Sequence, residues 1–189
     1  MKSLYSRNLV ALALAGILLA PASVLAGPKT EDELIAELDN PNAERVASTM
    51  LAIEKQYPNS TKSFPKLKAF LKDSRPKVRR KAARVLGSLH ADVDKENLKD
   101  IVALTKSADP DEAIDGLKAL RGLKAADTIP DIKACLNSPT PNVIRDACRT
   151  IAALGSKSDI PAIEPLLNHK SAAVQKDAQD AIFALKSKS

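Results

Sequence analysis

The sequence predicts an all-α fold, an α-solenoid of about five two-helix repeats. Three observations predict it. Pro76, Pro110 and Pro141 lie 34 and 31 residues apart, and Ala172 falls in the same register 31 residues further on. Behind each marker comes one apolar pattern: Ala82, Gly116, Ala147 and Ala178 six residues on, Leu86, Leu120, Ile151 and Ile182 ten on, Leu89, Leu123, Leu154 and Leu185 thirteen on. Trp is absent and aromatics are 3% of the chain, so the core must be Leu, Ile, Val and Ala. That composition suits closely packed helices and not a sheet. A period of this length marks one supersecondary unit stacked on the next.

In chain order, the N-terminus comes first. Lys2 and Arg7 precede a twelve-residue apolar run from Leu9 to Ala20, which Pro21 breaks. Val24-Leu25-Ala26 then supplies the small residues a signal peptidase reads, so residues 1–26 are expected to be a cleaved secretory signal peptide. The run is shorter than the roughly 20 residues a spanning helix needs. The mature chain would run from Gly27 to Ser189, with 27 bases against 23 acids, a net +4.

The repeat domain is expected over 27–189. Its first repeat, about 31–57, is degenerate: Ile35 and Leu38 precede Asn40-Pro41, and Val46, Met50 and Ile53 follow out of register. Thr30 with Glu33 reads as a capping box that starts a helix at Glu31. A loop at 58–63 carries Pro58, Asn59 and Ser60. Regular repeats follow over about 64–90, 96–124, 128–155 and 159–186. Each has a short first helix, a turn, and a longer second helix with one apolar stripe, as in Val143, Ala147, Ile151 and Leu154. Asp109-Pro110 and Thr140-Pro141 place an N-cap oxygen before a proline at the first helical position. Gly87 and Gly155 fall where a left-handed residue ends a helix. Positions three and seven on are apolar in Ala113, Leu117, Ile144 and Cys148 but become Gln175 and Gln179 at the end, as a C-terminal cap requires.

The segments Asp73–Leu89, Ser138–Gly155 and Ser171–Leu185 resemble HEAT repeats, particularly the short bacterial kind. The likeness covers roughly Glu31 to Leu185. It implies a right-handed superhelix whose second helices line a concave face. Glu112 departs from the pattern, since Val78, Val143 and Val174 hold the equivalent positions.

Charge is the sharpest local feature. Ten bases and one acid, Asp73, lie between Lys62 and Arg84. Lys77, Arg80 and Arg84 fall opposite the core stripe, and Lys118, Arg145 and Arg149 take the same outward positions later. Such a track can attract an acidic partner. The other reading is a ladder in which Asp115, Asp146 and Asp177 pair with these bases for little net energy. Cys135 and Cys148 flank the turn at Pro141 almost symmetrically, which fits either a disulfide across the hairpin or two buried thiols. Asp92, Asp94 and Glu96 alternate like the start of a calcium loop, but the rest of that loop is missing, so they read as a polar connector at a helix N-terminus. His90 and His169 stand in no metal-binding or catalytic motif, and no glycine-rich phosphate loop occurs.

These observations predict a secreted or periplasmic, non-catalytic, monomeric scaffold without a cofactor, binding a protein or peptide on its concave face. The alternative is a polyanion binder acting through the basic patch of repeat two. Nucleic acid is disfavoured by export and by the lack of aromatics for stacking.

Overall fold

Proline sets the start of six of the ten α-helices in the computed structural model, which describes residues 27–188. The expected signal peptide lies outside the described residues. The repeat unit begins at Glu31. It contains ten α-helices and, among the described residues, no strand: α1 (Glu31–Glu37), α2 (Ala43–Gln56), α3 (Phe64–Ala69), α4 (Pro76–Ser88), α5 (Lys95–Thr105), α6 (Pro110–Gly122), α7 (Ile129–Ala134), α8 (Pro141–Leu154), α9 (Ile160–Ile163) and α10 (Ala172–Lys186). Pro76, Pro110 and Pro141 are the first residues of α4, α6 and α8. Pro65, Pro130 and Pro161 are the second residues of α3, α7 and α9. At these sites the missing N–H is one the helix would leave unbonded anyway.

The first helices are short because they run into 3₁₀ turns. Phe70–Lys72 ends α3, Cys135–Asn137 ends α7, and Glu164–Asn168, with its own Pro165, ends α9. Asp109 caps α6 as expected, accepting from the Asp111 N–H at 2.9 Å. Thr140 occupies the N-cap of α8 but its hydroxyl makes no capping bond.

The core is one continuous apolar cluster. Val78, Ala82, Leu86, Leu117, Leu120, Ala147, Ile151, Val174, Ala178 and Leu185 are all buried within it. Second helices pack directly on one another, α2 on α4 on α6 on α8 on α10, whereas first helices meet their successors only weakly.

The glycines act differently from the expectation. Neither Gly87 nor Gly155 has positive φ. Gly87 lies inside α4, and a Cβ there would stand 2.7 Å from the Ala119 Cα of α6. A Cβ on Gly122 would in turn collide with the Gly87 carbonyl. The two helices therefore touch backbone to backbone near their C-terminal ends. The left-handed residues are instead His90 (φ 50°) and Lys124 (φ 55°), one period apart. Both close a Schellman motif. The Ala91 N–H donates to the Leu86 carbonyl at 3.0 Å, and the Ala125 N–H donates to that of Leu120 at 3.1 Å. His90 is tolerated in that conformation partly because its Nδ1 reaches the Gly122 carbonyl at 2.8 Å.

Candidate interaction surface on the second helices

Two of the outward bases, Arg80 and Arg145, are held by the acid they meet on the next repeat. Arg80 Nε donates to Asp115 Oδ2 at 2.9 Å, and Asp111 and Asp109 lie within 3.4 and 3.7 Å of the same guanidinium. Burial works against the charged form of Arg80, but these carboxylates outweigh it and hold the guanidinium more firmly protonated than usual. Two junctions further along the chain, Arg145 Nε donates to Asp177 Oδ2 at 2.6 Å and Arg149 Nη2 to the same oxygen at 3.1 Å. Lys77 pairs with Glu44 of the first repeat. Asp115, Asp146 and Asp177 are all buried. The aspartates five residues behind each marker thus receive bases from the preceding repeat at two of three junctions.

The residues eight positions behind each marker are freer. Arg84 comes no closer than 4.0 Å to Asp115 and its side chain is 49% exposed. Lys118 is exposed and makes no ion pair among the described residues. Arg149 is bonded to Asp177 but remains 46% exposed. Arg84, Lys118 and Arg149 stand in one row across α4, α6 and α8. On α10 the row changes sign: the residue eight behind the marker is Asp180, which pairs with Lys176 of its own helix at 2.6 Å.

Of the ten bases between Lys62 and Arg84, Lys68 and Lys81 lack a carboxylate within 4.0 Å among the described residues. Lys62 and Lys66 reach back to Asp32 and Asp39, while Lys72 reaches forward to Glu96 and Asp100. The excess charge of repeat two is therefore matched by acids of its two neighbours. Lys81 is half-buried, and burial first, then the nearby Arg84, push its amine below the usual lysine range.

Glu112, the departure from the apolar pattern, is explained by Arg79. Arg79 Nη2 is 2.8 Å from Glu112 Oε1, and the Ser107 hydroxyl donates to Oε2 at 2.6 Å.

The cysteines are not bridged. Cys135 and Cys148 are free, buried thiols. They face opposite neighbours: Cys135 Sγ is 3.5 Å from the Thr105 carbonyl of the repeat before, whereas Cys148 feels the Asp177 carboxylate of the repeat after. Burial, with Asp177 adding to it, pushes the Cys148 thiol up to about 12. Asp94 caps α5 by accepting from the Asn97 N–H at 2.9 Å, so the alternating acids are a helix start. Among the described residues, no group of His, Cys, Asp and Glu could hold a metal ion. None of their helices is long and apolar enough to cross a membrane.

A groove of about 610 Å³ lies between the loop before α3 and the turn after α4, lined by Pro58, Phe64, Pro65, Lys68 and His90. A second, of about 330 Å³, lies between the turns of repeats three and four and has Cys135 in its wall. None of the six outward bases, Lys77, Arg80, Arg84, Lys118, Arg145 and Arg149, lines either.

The family model for HEAT repeats matches residues 100–183. No curated protein matches the chain. Among solved structures, the complex of CpcE and CpcF of phycocyanin lyase from Nostoc sp. PCC7120 superposes with a TM-score of 0.71 at 20% identity, over 92% of this chain and 71% of that one. An engineered protein superposes with a TM-score of 0.65 at 21% identity, over 83% and 81% of the two chains. A designed armadillo repeat protein in complex with the peptide (KR)4 superposes with a TM-score of 0.61 at 20% identity, over 80% of each chain. At these identities the likeness is one of fold. Residues 100–183 match HEAT repeats, and the array from Glu31 is an α-solenoid of the HEAT- and armadillo-like kind.

Proposed function

We propose that this chain is a non-catalytic interaction scaffold, exported to the periplasm or beyond, that binds a protein or peptide along its second-helix face. The observation that carries the reading is the row of Arg84, Lys118 and Arg149, exposed at matching positions on three consecutive helices. Helices packed side by side stand about 8–10 Å apart. A row of this kind presents charge at regular intervals to an extended partner. The fold supports the same reading, since one superposable solenoid is a designed repeat protein holding a peptide. Stacked repeats also expose a long surface without needing a cavity.

Arg80 and Arg145 are structural members of the ladder in this reading, and Arg84 and Lys118 are the contacts an acidic partner would meet. The test is capture from an envelope extract by the mature protein. Arg84→Glu with Lys118→Glu is expected to abolish capture and leave the melting temperature nearly unchanged. Unaltered capture by that variant would remove the row from the binding surface. Export is tested separately by sequencing the N-terminus of the natural protein. Gly27 is expected there, and retention of Met1 would overturn it.

A further inference from the structure

The arginine ladder has one gap. Four residues behind the markers stand Arg80, Ile114 and Arg145 on the three helices that face a following repeat. Arg80 and Arg145 each donate Nε to the aspartate of the next repeat. Ile114 has nothing to donate, and the aspartate opposite it is Asp146. The Asp146 side chain is only 10% exposed, and its nearest cation is Arg121, whose Nη1 is 3.9 Å from Oδ1. Oδ1 is buried and accepts no hydrogen bond. Arg121 is instead directed to the Thr150 hydroxyl at 3.4 Å. A buried carboxylate oxygen without a donor is costly, and native structures rarely leave one so.

We propose that Asp146 is a subsite for a cationic side chain of the bound partner, an arginine or lysine lying on the second-helix face. This rests on the scaffold reading above and gives the partner a chemistry. The flanking junctions show what fits: the guanidinium of Arg80 on Asp115 and that of Arg145 on Asp177. At the middle junction the chain supplies only the half-buried Ile114, an apolar surface for an aliphatic stem whose charged head continues to Asp146. A partner residue would complete the rung that the sequence leaves open. A guanidinium suits it best, because it can meet a carboxylate with two parallel bonds. Lys118, the α6 residue that corresponds to Arg149, is the chain's own competitor for the same carboxylate. Its amine is strongly hydrated and stands exposed without a partner in the structure. The resulting surface carries both signs, Arg84 on α4, Lys118 on α6 and Asp146 on α8, and so favours a partner that alternates in sign.

The probe is a fluorescein-labelled (ER)4 peptide, glutamate alternating with arginine, with binding read by anisotropy and the Asp146 carboxyl carbon followed by NMR. The wild-type chain is expected to bind it, with the Asp146 signal moving during the titration. Ile114→Arg fills the gap from within and should weaken binding about tenfold or more, the scale of a charge-assisted hydrogen bond. Ala126→Arg adds the same charge at an exposed position away from the face and should change affinity by about twofold or less. Asp146→Asn, which keeps the shape, should repeat the loss. Equal losses in the two arginine variants, a stationary Asp146 signal, or no measurable binding by the wild type would each overturn the subsite. Capture of an envelope partner that survives Ile114→Arg would sink the subsite and leave the scaffold standing. Binding of (ER)4, lost in Ile114→Arg, by a chain that captures no partner would do the reverse.

Discussion

Arg79 and the buried Glu112 form an ion pair, Nη2 to Oε1 at 2.8 Å, across the junction of repeats two and three. Glu112 stands where the other repeats carry valine, and its side chain is 6% exposed. Breaking such a pair from one side leaves an uncompensated charge, whereas replacing both partners by apolar groups does not. Arg79→Ala is expected to cost about 3 kcal/mol in urea unfolding. The double change Arg79→Met with Glu112→Val should fall within about 1 kcal/mol of the parent, because it restores the valine the fold uses elsewhere. A double variant as unstable as the single one would show that the pair does not set the cost.

The helix ends make a second prediction of opposite signs at neighbouring sites. Lys124 holds φ 55°, a region that strains L residues, and its side chain makes no ion pair. Lys124→Gly should therefore stabilise by about 1 kcal/mol. Gly122→Ala, two residues earlier, should destabilise, since its Cβ would strike the Gly87 carbonyl of α4. Thermal melts of both variants check the signs. A stabilised Gly122→Ala would mean that α4 and α6 can separate without loss.

Acid lability follows from two carboxylates. The Arg75 guanidinium, bonded to Asp73, holds that carboxyl below its ordinary value despite burial. Burial raises Asp159, but Lys133 at 2.7 Å and the Ser156 N–H outweigh it and bring the carboxyl below its ordinary value too. A depressed folded pKa gives stability that is complete above the unfolded value, about 4, and is lost as pH falls through the folded value. Stability should thus be flat at neutral pH with respect to these groups and decline below about pH 4. In Asp159→Asn the protein should be weaker at neutral pH and its decline in acid shallower. An unchanged acid slope would remove Asp159 from the linkage.

Both thiols should resist modification in the folded state. Cys148 is buried with its pKa pushed up to about 12, and burial also raises Cys135. The thiolate is the reactive form, so it is nearly absent at neutral pH. Iodoacetamide should add nothing to the native protein and two carbamidomethyl groups after denaturation, by intact mass. A single product without adducts after denaturation would reveal a disulfide.

The repeats were legible because proline and leucine act locally. Pro76, Pro110 and Pro141 begin helices in the structure as their fixed φ requires. The stripe from Val143 to Leu154 needed only helical spacing. Relationships between repeats were less legible. The Gly87 contact is made by a backbone 32 residues away, and a helix-ending role fitted its local sequence equally well. The direction of a side chain across a junction decided the cysteines, since symmetry about Pro141 says nothing about which neighbour each thiol faces. Asp115 and Asp177 were candidates for pairing from the period alone. Asp146 belonged to the same set, and only the packed geometry distinguishes it by the isoleucine opposite.

The pairing of Lys176 with Asp180 on α10 also bears on assembly. Every junction in the array is head to tail, so the same contact repeated between separate chains would build an open filament rather than a closed oligomer. The last helix forestalls this in two ways: Gln175 and Gln179 replace the apolar flank, and Lys176 spends its charge within its own turn instead of offering it to an incoming acid. The terminal repeat is thus a chain stopper. Restoring an apolar flank and a free base there would turn a bounded array into a polymerising one.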